Sequence, residues 1–384
     1  PYSFFFVFAF NAISYYFNGN YFVFNESDAL FYHDTATRLV DLSITDGFKF
    51  FLLRTEGTLE DFGAVLVISS LYKIVVSNLI VNIFYVLIGV QTSLAIYRIG
   101  SNFMSRKYAF LSALTYSTSS FVLYYHASGL KETIMIFFIV FFYDQYYKYI
   151  LNKRTLNVFL MSFSLLSLFL FRPVIIVFII GSILATLLIS KRKSKVIFTV
   201  IPLIFILGYY AYDFIGELSS QFIGSDVDSM IKNKEDQGMV IINLPFTIAT
   251  NVLSTFFGPF PTLLPGEKMH LSFYSAGLIL RILISTSFWI GVYYVYREKV
   301  YKILPLIFFV IFEGLSLTFI LEGLELRKTL PHLFSVYIVA FWFLDNFQNR
   351  NKFFVKSRKR IFKSITFSIT LFFFLILLWN FKEV

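Results

Sequence analysis

Apolar segments long enough to cross a bilayer, which takes about 20 helical residues, recur along most of the chain. Because these runs are continuous, with no alternation of polar and apolar positions, they indicate helices. The pattern predicts one all-α integral membrane domain over residues 1–384, a bundle of about eleven transmembrane helices. We place the spans at 1–17, 78–97, 108–125, 133–150, 156–171, 174–189, 196–212, 272–295, 303–320, 330–346 and 364–380.

The composition agrees with a membrane protein. Hydrophobic residues make up 57% of the chain and aromatic residues 21%, and the mean hydropathy is +0.72. Charged residues make up 15%, whereas soluble domains carry roughly 25%. Cysteine is absent, which excludes disulfides and thiolate metal sites. We expect no metal and no other cofactor.

The net charge of +10 is distributed unevenly. Because short cytoplasmic loops carry an excess of Lys and Arg, connections rich in these residues are predicted to be cytoplasmic. Five connections have this composition. All five fall on the cytoplasmic side if residues 64–77 form an outer helix that does not cross the membrane. The basic surplus then reflects topology, so no nucleic-acid partner is expected. The five connections are 106–107, 153–154, 191–195, 297–302 and 350–363.

The segments predicted on the outer side have the opposite character. They hold most of the acidic residues and, with His332 just beyond the last of them, all four histidines. Candidate chemistry is therefore expected to face outward. The outer segments are 18–77, 126–132, 214–271 and 321–329.

The stretch NESDALFYHDTATRLVDL (25–42) predicts an amphipathic helix that starts near Ser27 and lies at the membrane surface. Its polar face carries Asp34, Arg38 and Asp41 at spacings of four and three. Its apolar stripe consists of Leu30, Ala36, Leu39 and Val40. Two interpretations stay open. The helix either is an interfacial anchor with solvated charges or holds its carboxylates in the headgroup layer for chemistry.

Cations lie at three separate points on the predicted outer side. Lys131 stands at the top of a span in HASGLKETIMIFF, and Arg172 stands in LFLFRPVIIVF, where one span ends and the next begins. Arg327 and Lys328 precede the tenth span, against the usual charge bias. Charge at a membrane boundary is costly unless it meets an anion, so Lys131, Arg172 and Arg327 are candidate phosphate-binding residues. Snorkelling to lipid headgroups is the alternative for Lys131 and Arg172.

Carboxylates and cations on one side suit group transfer from a phosphate-bearing lipid. A carboxylate can take the proton of an acceptor hydroxyl. Arg and Lys stabilise the charge that develops on a departing phosphate. Such a reaction requires no cofactor.

The order of these features resembles the GT-C superfamily of polyprenyl-linked-sugar glycosyltransferases, especially its protein-mannosyltransferase-like branch. An acidic outer loop and a non-crossing helix are followed by LAIYRIGSNFMSRKYAFLSALTYSTSSFVLYY, HASGLKE, the FRP junction and a late ELRKTLPHLFSVYIVAFWF. The chain also looks like the membrane proteins of bacterial O-antigen and capsule loci, including repeat-unit polymerases. The similarity covers roughly residues 20–345.

The resemblance implies roles for individual residues. The catalytic base of the first outer loop would be Asp28, with Asp34 or Glu26 as alternatives; the adjacent acid pair common in that loop is absent from NESDALFYHD. The late R-x-x-x-P element matches Arg327 and Pro331, which would bring Arg327 to lipid phosphate. O-antigen polymerases and ligases tend to rely on outward arginines, and the resemblance makes Arg172 the candidate for that role.

The sequence and the resemblance together predict a membrane glycosyltransferase in the bacterial inner membrane, with its active site facing the periplasm or cell exterior. Its partners would be undecaprenyl-linked sugar donor and acceptor, membrane lipids and, optionally, a chain-length regulator. Segment 18–77 is the catalytic candidate and 214–271 the acceptor-specificity candidate.

We favour a repeat-unit polymerase of O-antigen or capsule assembly, because none of the outer segments is long enough for a large soluble domain. A transferase that uses a polyprenyl-phosphate monosaccharide is the alternative within the class. A flippase for lipid-linked oligosaccharides is the alternative from another class; it is disfavoured because the sequence shows no internal repeat and its outer charges lie at one face.

Overall fold

A computed structural model of the protein describes residues 2–19, 27–54, 59–190, 244–261, 270–319, 327–348 and 352–381. Within these ranges the chain forms fifteen α-helices and two 3-10 helices, and no strand. The predicted all-α class is therefore confirmed. Glu26, the predicted span 196–212 and most of the polar part of 214–271 lie outside the described residues.

The helices follow one another with short connections. The two 3-10 helices are Tyr301–Ile303 and Arg327–Thr329. The α-helices are α1 Tyr2–Asn18, α2 Ser27–Leu39, α3 Ile44–Arg54, α4 Leu59–Tyr72, α5 Asn78–Gly100, α6 Arg106–Thr118, α7 Ser120–Ser128, α8 Glu132–Asn152, α9 Thr155–Phe169, α10 Pro173–Ile189, α11 Leu244–Phe257, α12 His270–Arg297, α13 Leu304–Phe319, α14 Leu333–Gln348 and α15 Lys352–Phe381.

Among the residues that the structure describes, four helical segments are long and apolar enough to cross a membrane. They are Asn78–Gly100, Glu132–Asn152, Ser275–Arg297 and Tyr301–Thr318, and shorter apolar helices accompany them. Large apolar side chains also cover the outside of the bundle; Leu166 on α9, for example, is 71% exposed. Such a surface is costly in water and favourable against lipid tails. The structure thus agrees with a helical membrane protein, while the number of eleven spans stays a prediction.

Local sequence explains several helix ends. The Ser77 side chain caps α5, because its oxygen accepts the backbone N–H of Leu79 at 3.2 Å. Pro173 occupies the first turn of α10, where its missing N–H costs nothing. Gly129 ends α7 with a φ of +74°, a left-handed conformation that glycine adopts without strain.

The predicted span 108–125 is divided into two helices, α6 and α7. Ser119 lies between them with an extended ψ of 123°. Its hydroxyl donates to the carbonyl of Thr115 at 2.6 Å and lies 3.1 Å from the hydroxyl of Tyr337. Hydropathy alone hides this break; the polar run STSS (117–120) was its signal in the sequence.

The bundle has two distinct ends. Helix α5 packs against α6 and α8, α8 packs against α9, α10 packs against α13, and α12 packs against α14. We call the end where α8 and α10 begin the cavity end; there α2 lies across α4. We call the other end, where α5, α8 and α12 finish, the opposite end. The described connections predicted to be cytoplasmic, 106–107, 153–154 and 297–302, all lie at the opposite end.

Candidate functional site

A cavity of about 230 Å³ opens at the cavity end, among α2, α4, the first turn of α8, the α9–α10 junction and the 3-10 helix Arg327–Thr329. Its lining is dominated by charge. Phe31, Tyr32 and Met135 complete the wall. The acids are Asp28, Glu60, Asp61 and Glu132, and the bases are Lys131, Arg172, Arg327 and Lys328.

The structure brings four of the six candidate site residues to this cavity, namely Asp28, Lys131, Arg172 and Arg327. Asp34 does not line it; it is exposed on the polar face of α2, as the helical pattern predicts. The assembly comes from four distant segments of the chain, and no short motif in the sequence links them.

Asp28 and Arg327 form an ion pair across 299 positions of sequence. A guanidinium N–H of Arg327 donates to Oδ2 of Asp28 at 2.5 Å. Both side chains stay partly exposed, at 40% for Asp28 and 34% for Arg327. Asp28 lies in the first turn of α2, where the helix dipole also favours a negative charge. The proposed base and the proposed phosphate ligand are therefore partners of each other.

Asp61 is held by two donors that sequence reasoning did not associate with it. The ammonium of Lys131 lies 2.7 Å from Oδ1, and the hydroxyl of Tyr32 donates to the same oxygen at 2.9 Å. Lys131 also donates to the backbone carbonyl of Glu60 at 3.3 Å. Burial, followed by the negative charge of Asp61, raises the pKa of Tyr32 well above its ordinary value of 10, so this phenol stays protonated and remains a donor.

Glu132 differs from Asp28 and Asp61 in its burial and in its hydrogen bonding. Its side chain lines the cavity, yet the residue is only 5% exposed. No donor in the described part of the chain reaches its Oε2 atom. A buried polar oxygen without a partner costs about 1–3 kcal/mol, so such atoms usually face a water or a ligand.

The turn that carries Glu132 is anchored on both sides. Before it, the hydroxyl of Tyr85 donates to the carbonyl of Gly129 at 3.3 Å. After it, the hydroxyl of Thr133 donates to the carbonyl of Tyr125 at 3.1 Å. Because this turn is tied to α5 and α7, the carboxylate of Glu132 has a defined place at the cavity wall.

Arg172 reaches the cavity because α4 lies directly against the α9–α10 junction. The backbone N–H of Gly63 donates to the carbonyl of Leu170 at 3.0 Å. A Cβ atom at position 63 would lie 2.6 Å from that oxygen, so only glycine permits this approach. Gly63 in EDFGAVL thereby brings the acids at the start of α4 next to the FRP junction.

A second charged group, which sequence reasoning missed, lies inside the bundle. Arg281 is 1% exposed, and its guanidinium donates to the hydroxyl of Thr329 at 2.6 Å and to the carbonyl of Thr255 at 3.3 Å. His332 lies 3.4 Å from the same guanidinium and 3.3 Å from the carboxylate of Glu313. The signal was present in the sequence: Arg281 and Glu313 are single charges in apolar runs, and such charges are functional candidates by default.

This group supports the 3-10 helix that delivers the cations. Thr329, which receives the bond from Arg281, is the last residue of that helix, and Arg327 is the first. Gly258 makes room for the arginine. A Cβ there would lie 2.9 Å from the Arg281 side chain, and its φ of +115° suits only glycine.

His33 and Tyr72 join α2 to α4 away from the cavity. The Tyr72 hydroxyl is hydrogen-bonded to Nδ1 of His33. Burial lowers the pKa of His33, although the nearby Asp34 acts in the other direction, and burial raises the pKa of Tyr72. A neutral imidazole thus accepts a hydrogen bond from a neutral phenol. This contact fixes α2 over α4 and so holds Asp28 in place.

The cavity lining pairs two of its acids with bases, Asp28 with Arg327 and Asp61 with Lys131. Within the described ranges no three His, Asp or Glu side chains are grouped so that they could hold a metal ion. A second cavity of about 370 Å³ at the opposite end has Lys299 and Lys302 but no carboxylate in its lining. The first cavity therefore combines anion-binding groups with proton acceptors, and the second does not.

Comparisons with other proteins identify no relative. No protein-family model matches the sequence, and neither a curated protein nor a solved structure matches the chain. The likeness to GT-C transferases therefore stays a prediction that rests on the residues quoted above.

Proposed function

We propose that the protein is a membrane glycosyltransferase that acts on undecaprenyl-linked sugars at the outer face of a bacterial inner membrane. The observation that carries the proposal is the cavity in which four cations and four carboxylates meet at one end of an apolar bundle. A donor with an anionic phosphate, a sugar and a prenyl chain has chemistry complementary to each part of this arrangement.

The cations would bind the donor phosphate. Arg327 and Lys328 come from one 3-10 helix and Arg172 comes from the FRP junction, so positive charge reaches the cavity from two elements. Arginine pairs with phosphate through two parallel hydrogen bonds. As the bond between sugar and phosphate breaks, the charge that develops on the departing oxygen is stabilised by these groups.

The size of the cavity suits the polar part of such a donor. Its volume of about 230 Å³ is below the roughly 300–1,000 Å³ of pockets that enclose whole drug-sized ligands. A phosphate and the adjoining sugar would occupy it, while the prenyl chain stays in the bilayer. Phe169 and Val177, which are exposed on either side of the FRP junction, offer an apolar surface for that chain.

Within this class we favour a repeat-unit polymerase of O-antigen or capsule, with the single-sugar transferase as the alternative. Both reactions use the same cavity chemistry and differ in the acceptor. The acceptor-specificity candidate 214–271 lies largely outside the described residues. Analysis of the sugar product therefore distinguishes the polymerase from the single-sugar transferase.

A flippase for the same lipid-linked oligosaccharide is the second candidate function. The buried Arg281, His332 and Glu313 favour it, because ionisable residues inside a membrane bundle commonly line transport paths. A flippase would bind and move the lipid without forming a glycosidic bond. A deletion strain would then accumulate inward-facing lipid-linked repeat units, which labelling on each side of the membrane measures.

The central test is phosphate-lipid binding by the purified full chain in lipid nanodiscs, with radiolabelled undecaprenyl phosphate as the probe. We expect Arg327→Ala and Arg172→Ala to weaken binding about tenfold or more each, since a charged hydrogen bond is worth roughly 1.5–3 kcal/mol. Lysine should rescue poorly where the contact uses two guanidinium nitrogens. Arg297→Ala, exposed at the opposite end, is the matched control.

Cells provide the second half of the test. A host strain that lacks the gene should lose its polysaccharide ladder on a gel and regain it with the wild-type chain. Arg172→Ala and Arg327→Ala should accumulate in the membrane yet fail to restore the ladder. An unchanged ladder after deletion, with no undecaprenyl phosphate bound by the wild type, would sink the proposal.

The proposed outward orientation has its own test, because the sequence contains no cysteine. Thr37 is exposed on α2 at the cavity end, and Glu298 is exposed at the opposite end, so each can be replaced by a single cysteine. An impermeant maleimide should label position 37 in intact spheroplasts and position 298 only after lysis. The reverse result would mean that the cavity faces the cytoplasm.

A further inference from the structure

We infer that Glu132 is the residue that takes the proton of the acceptor hydroxyl. The inference rests on the proposed function and gives it a specific base, different from the Asp28 suggested by the sequence. It depends on where the carboxylates of the cavity find their hydrogen-bond donors.

Two of the four cavity carboxylates already have cationic partners. Asp28 accepts from Arg327 at 2.5 Å, and Asp61 accepts from Lys131 at 2.7 Å. In each of these ion pairs a cationic donor already occupies an oxygen of the carboxylate.

Glu132 has no cationic partner among the described residues. It is nearly buried at the cavity wall, and among the described residues no donor meets its Oε2 atom. A hydroxyl group that enters the cavity would supply the missing hydrogen bond. A general base has to lie within hydrogen-bond reach of the proton it removes. Glu132 lines the cavity, and one oxygen of its carboxylate has no donor among the described residues.

The anchored turn makes the carboxylate a fixed one. Glu132 is the first residue of α8, and the bonds from Tyr85 to Gly129 and from Thr133 to Tyr125 hold the chain on either side. Glu60, the remaining cavity carboxylate, lies in the first turn of α4 and is less deeply buried. A base held by secondary structure loses little freedom on binding substrate, which favours catalysis.

The proposed step balances as a displacement at the sugar carbon. The acceptor oxygen forms a bond to that carbon while its proton moves to the Glu132 carboxylate. The bond from the carbon to the phosphate oxygen breaks, and its electron pair leaves with the undecaprenyl phosphate or diphosphate. Arg172 and Arg327 stabilise the charge on the leaving group. No oxidant, reductant or further reactant is needed.

The test compares Glu132→Gln and Glu132→Asp with Asp28→Asn in the deletion strain and in nanodiscs. We expect Glu132→Gln to lower polymer output about 100- to 10,000-fold, the usual cost of a lost general base, while undecaprenyl phosphate binding stays at the wild-type level. Glu132→Asp should restore part of the output. Asp28→Asn should weaken lipid binding through Arg327 and cost less output. Glu298→Gln, exposed at the opposite end, is the control.

The outcomes separate the inference from the proposed function. A wild-type ladder with Glu132→Gln, in a protein that binds undecaprenyl phosphate, overturns the inference alone. A larger loss with Asp28→Asn than with Glu132→Gln, at unchanged binding, returns the role of base to Asp28. Loss of both Glu132 variants from the membrane assigns the carboxylate a structural role and also overturns the inference. If the wild type neither binds the lipid nor makes polymer, both proposals fall.

Discussion

Glu132 and Asp144 lie on the same helix, α8, and each is a nearly buried carboxylate, but their surroundings differ. Asp144, whose side chain is 2% exposed, accepts from Arg98 at 2.9 Å, from Lys148 at 2.7 Å and from Gln145 at 3.4 Å. Glu132 faces a cavity and has an oxygen that no donor in the described ranges reaches.

The difference shows how a structural carboxylate and a candidate functional one can be distinguished. The donors around Asp144 compensate its burial within the protein and tie α5 to α8. Among the described residues the acceptor capacity of Glu132 is not used up, which leaves an oxygen for a donor from a ligand. The opposite end also shows a second saturated acid: Asp345 accepts both the backbone N–H and the hydroxyl of Ser105, at 2.7 and 2.9 Å.

The largest predicted effect tests this contrast directly. Asp144→Asn should lower the free energy of unfolding by about 3 kcal/mol, because it leaves Arg98 and Lys148 without their shared carboxylate. Glu132→Gln should change the stability by less than about 1 kcal/mol, since no charged partner is abandoned. Denaturation of the purified proteins in mixed micelles measures both. Equal losses would mean that Glu132 is as structural as Asp144.

Arg281 provides an intermediate case. Its guanidinium is buried with three hydrogen-bond partners, Thr329, Thr255 and His332, while its Nε atom has none among the described residues. Arg281→Lys keeps the positive charge but loses the planar guanidinium that donates several hydrogen bonds at once. It should lower the free energy of unfolding by about 2 kcal/mol. Undecaprenyl phosphate binding should weaken as well, because Thr329 and the helix that carries Arg327 lose their support. Normal binding at reduced stability would limit Arg281 to a structural role.

Gly63→Ala tests whether the cavity depends on the close approach of α4. The added Cβ would lie 2.6 Å from the carbonyl oxygen of Leu170, so we expect a loss of about 1–2 kcal/mol and lower polymer output. Gly47→Ala in α3 is the matched control, because its Cβ would meet only ordinary contacts near 4 Å. It should be neutral or slightly stabilising. Indistinguishable variants would show that α4 can shift without harm.

The smallest effect is expected for the exposed ion pair. Asp28→Asn should change the free energy of unfolding by less than about 1 kcal/mol, since both Asp28 and Arg327 are more than one-third exposed and solvent screens them. The change should shrink further at high salt. Denaturation at two ionic strengths measures it. A loss as large as that predicted for Asp144→Asn would mean that this pair, too, holds the fold.

Much of the architecture could be predicted from the sequence alone, because hydropathy and helical periodicity are local properties. The all-α class, the helix after Ser27, a helix before residue 78 and the helix boundary at Pro173 all follow from nearby residues. The helix before residue 78 spans Leu59–Tyr72, whereas 64–77 was predicted, and its non-crossing character stays a prediction. The break at Ser119 was missed, because the apolar content of 108–125 is continuous across it.

For the site, sequence reasoning identified the unusual charges but not their pairing. Lys131, Arg172 and Arg327 were noticed because charge is costly at a membrane boundary. Their partners depend on how helices pack. Asp28 meets Arg327 across 299 positions, and Asp61 meets Lys131 across 70 positions.

The tertiary structure alone decided which cavity carboxylate has a buried oxygen that no donor in the described ranges reaches. In the sequence Glu132, Asp28 and Asp61 are equivalent acids near apolar runs, because the sequence does not show which side chains are in contact after folding. Hydrogen-bond donors are short-range partners, and their positions are set by contacts between distant helices. In the folded protein Arg327 pairs with Asp28 and Lys131 pairs with Asp61, whereas an oxygen of Glu132 has no donor among the described residues. For this reason Glu132 is the candidate base.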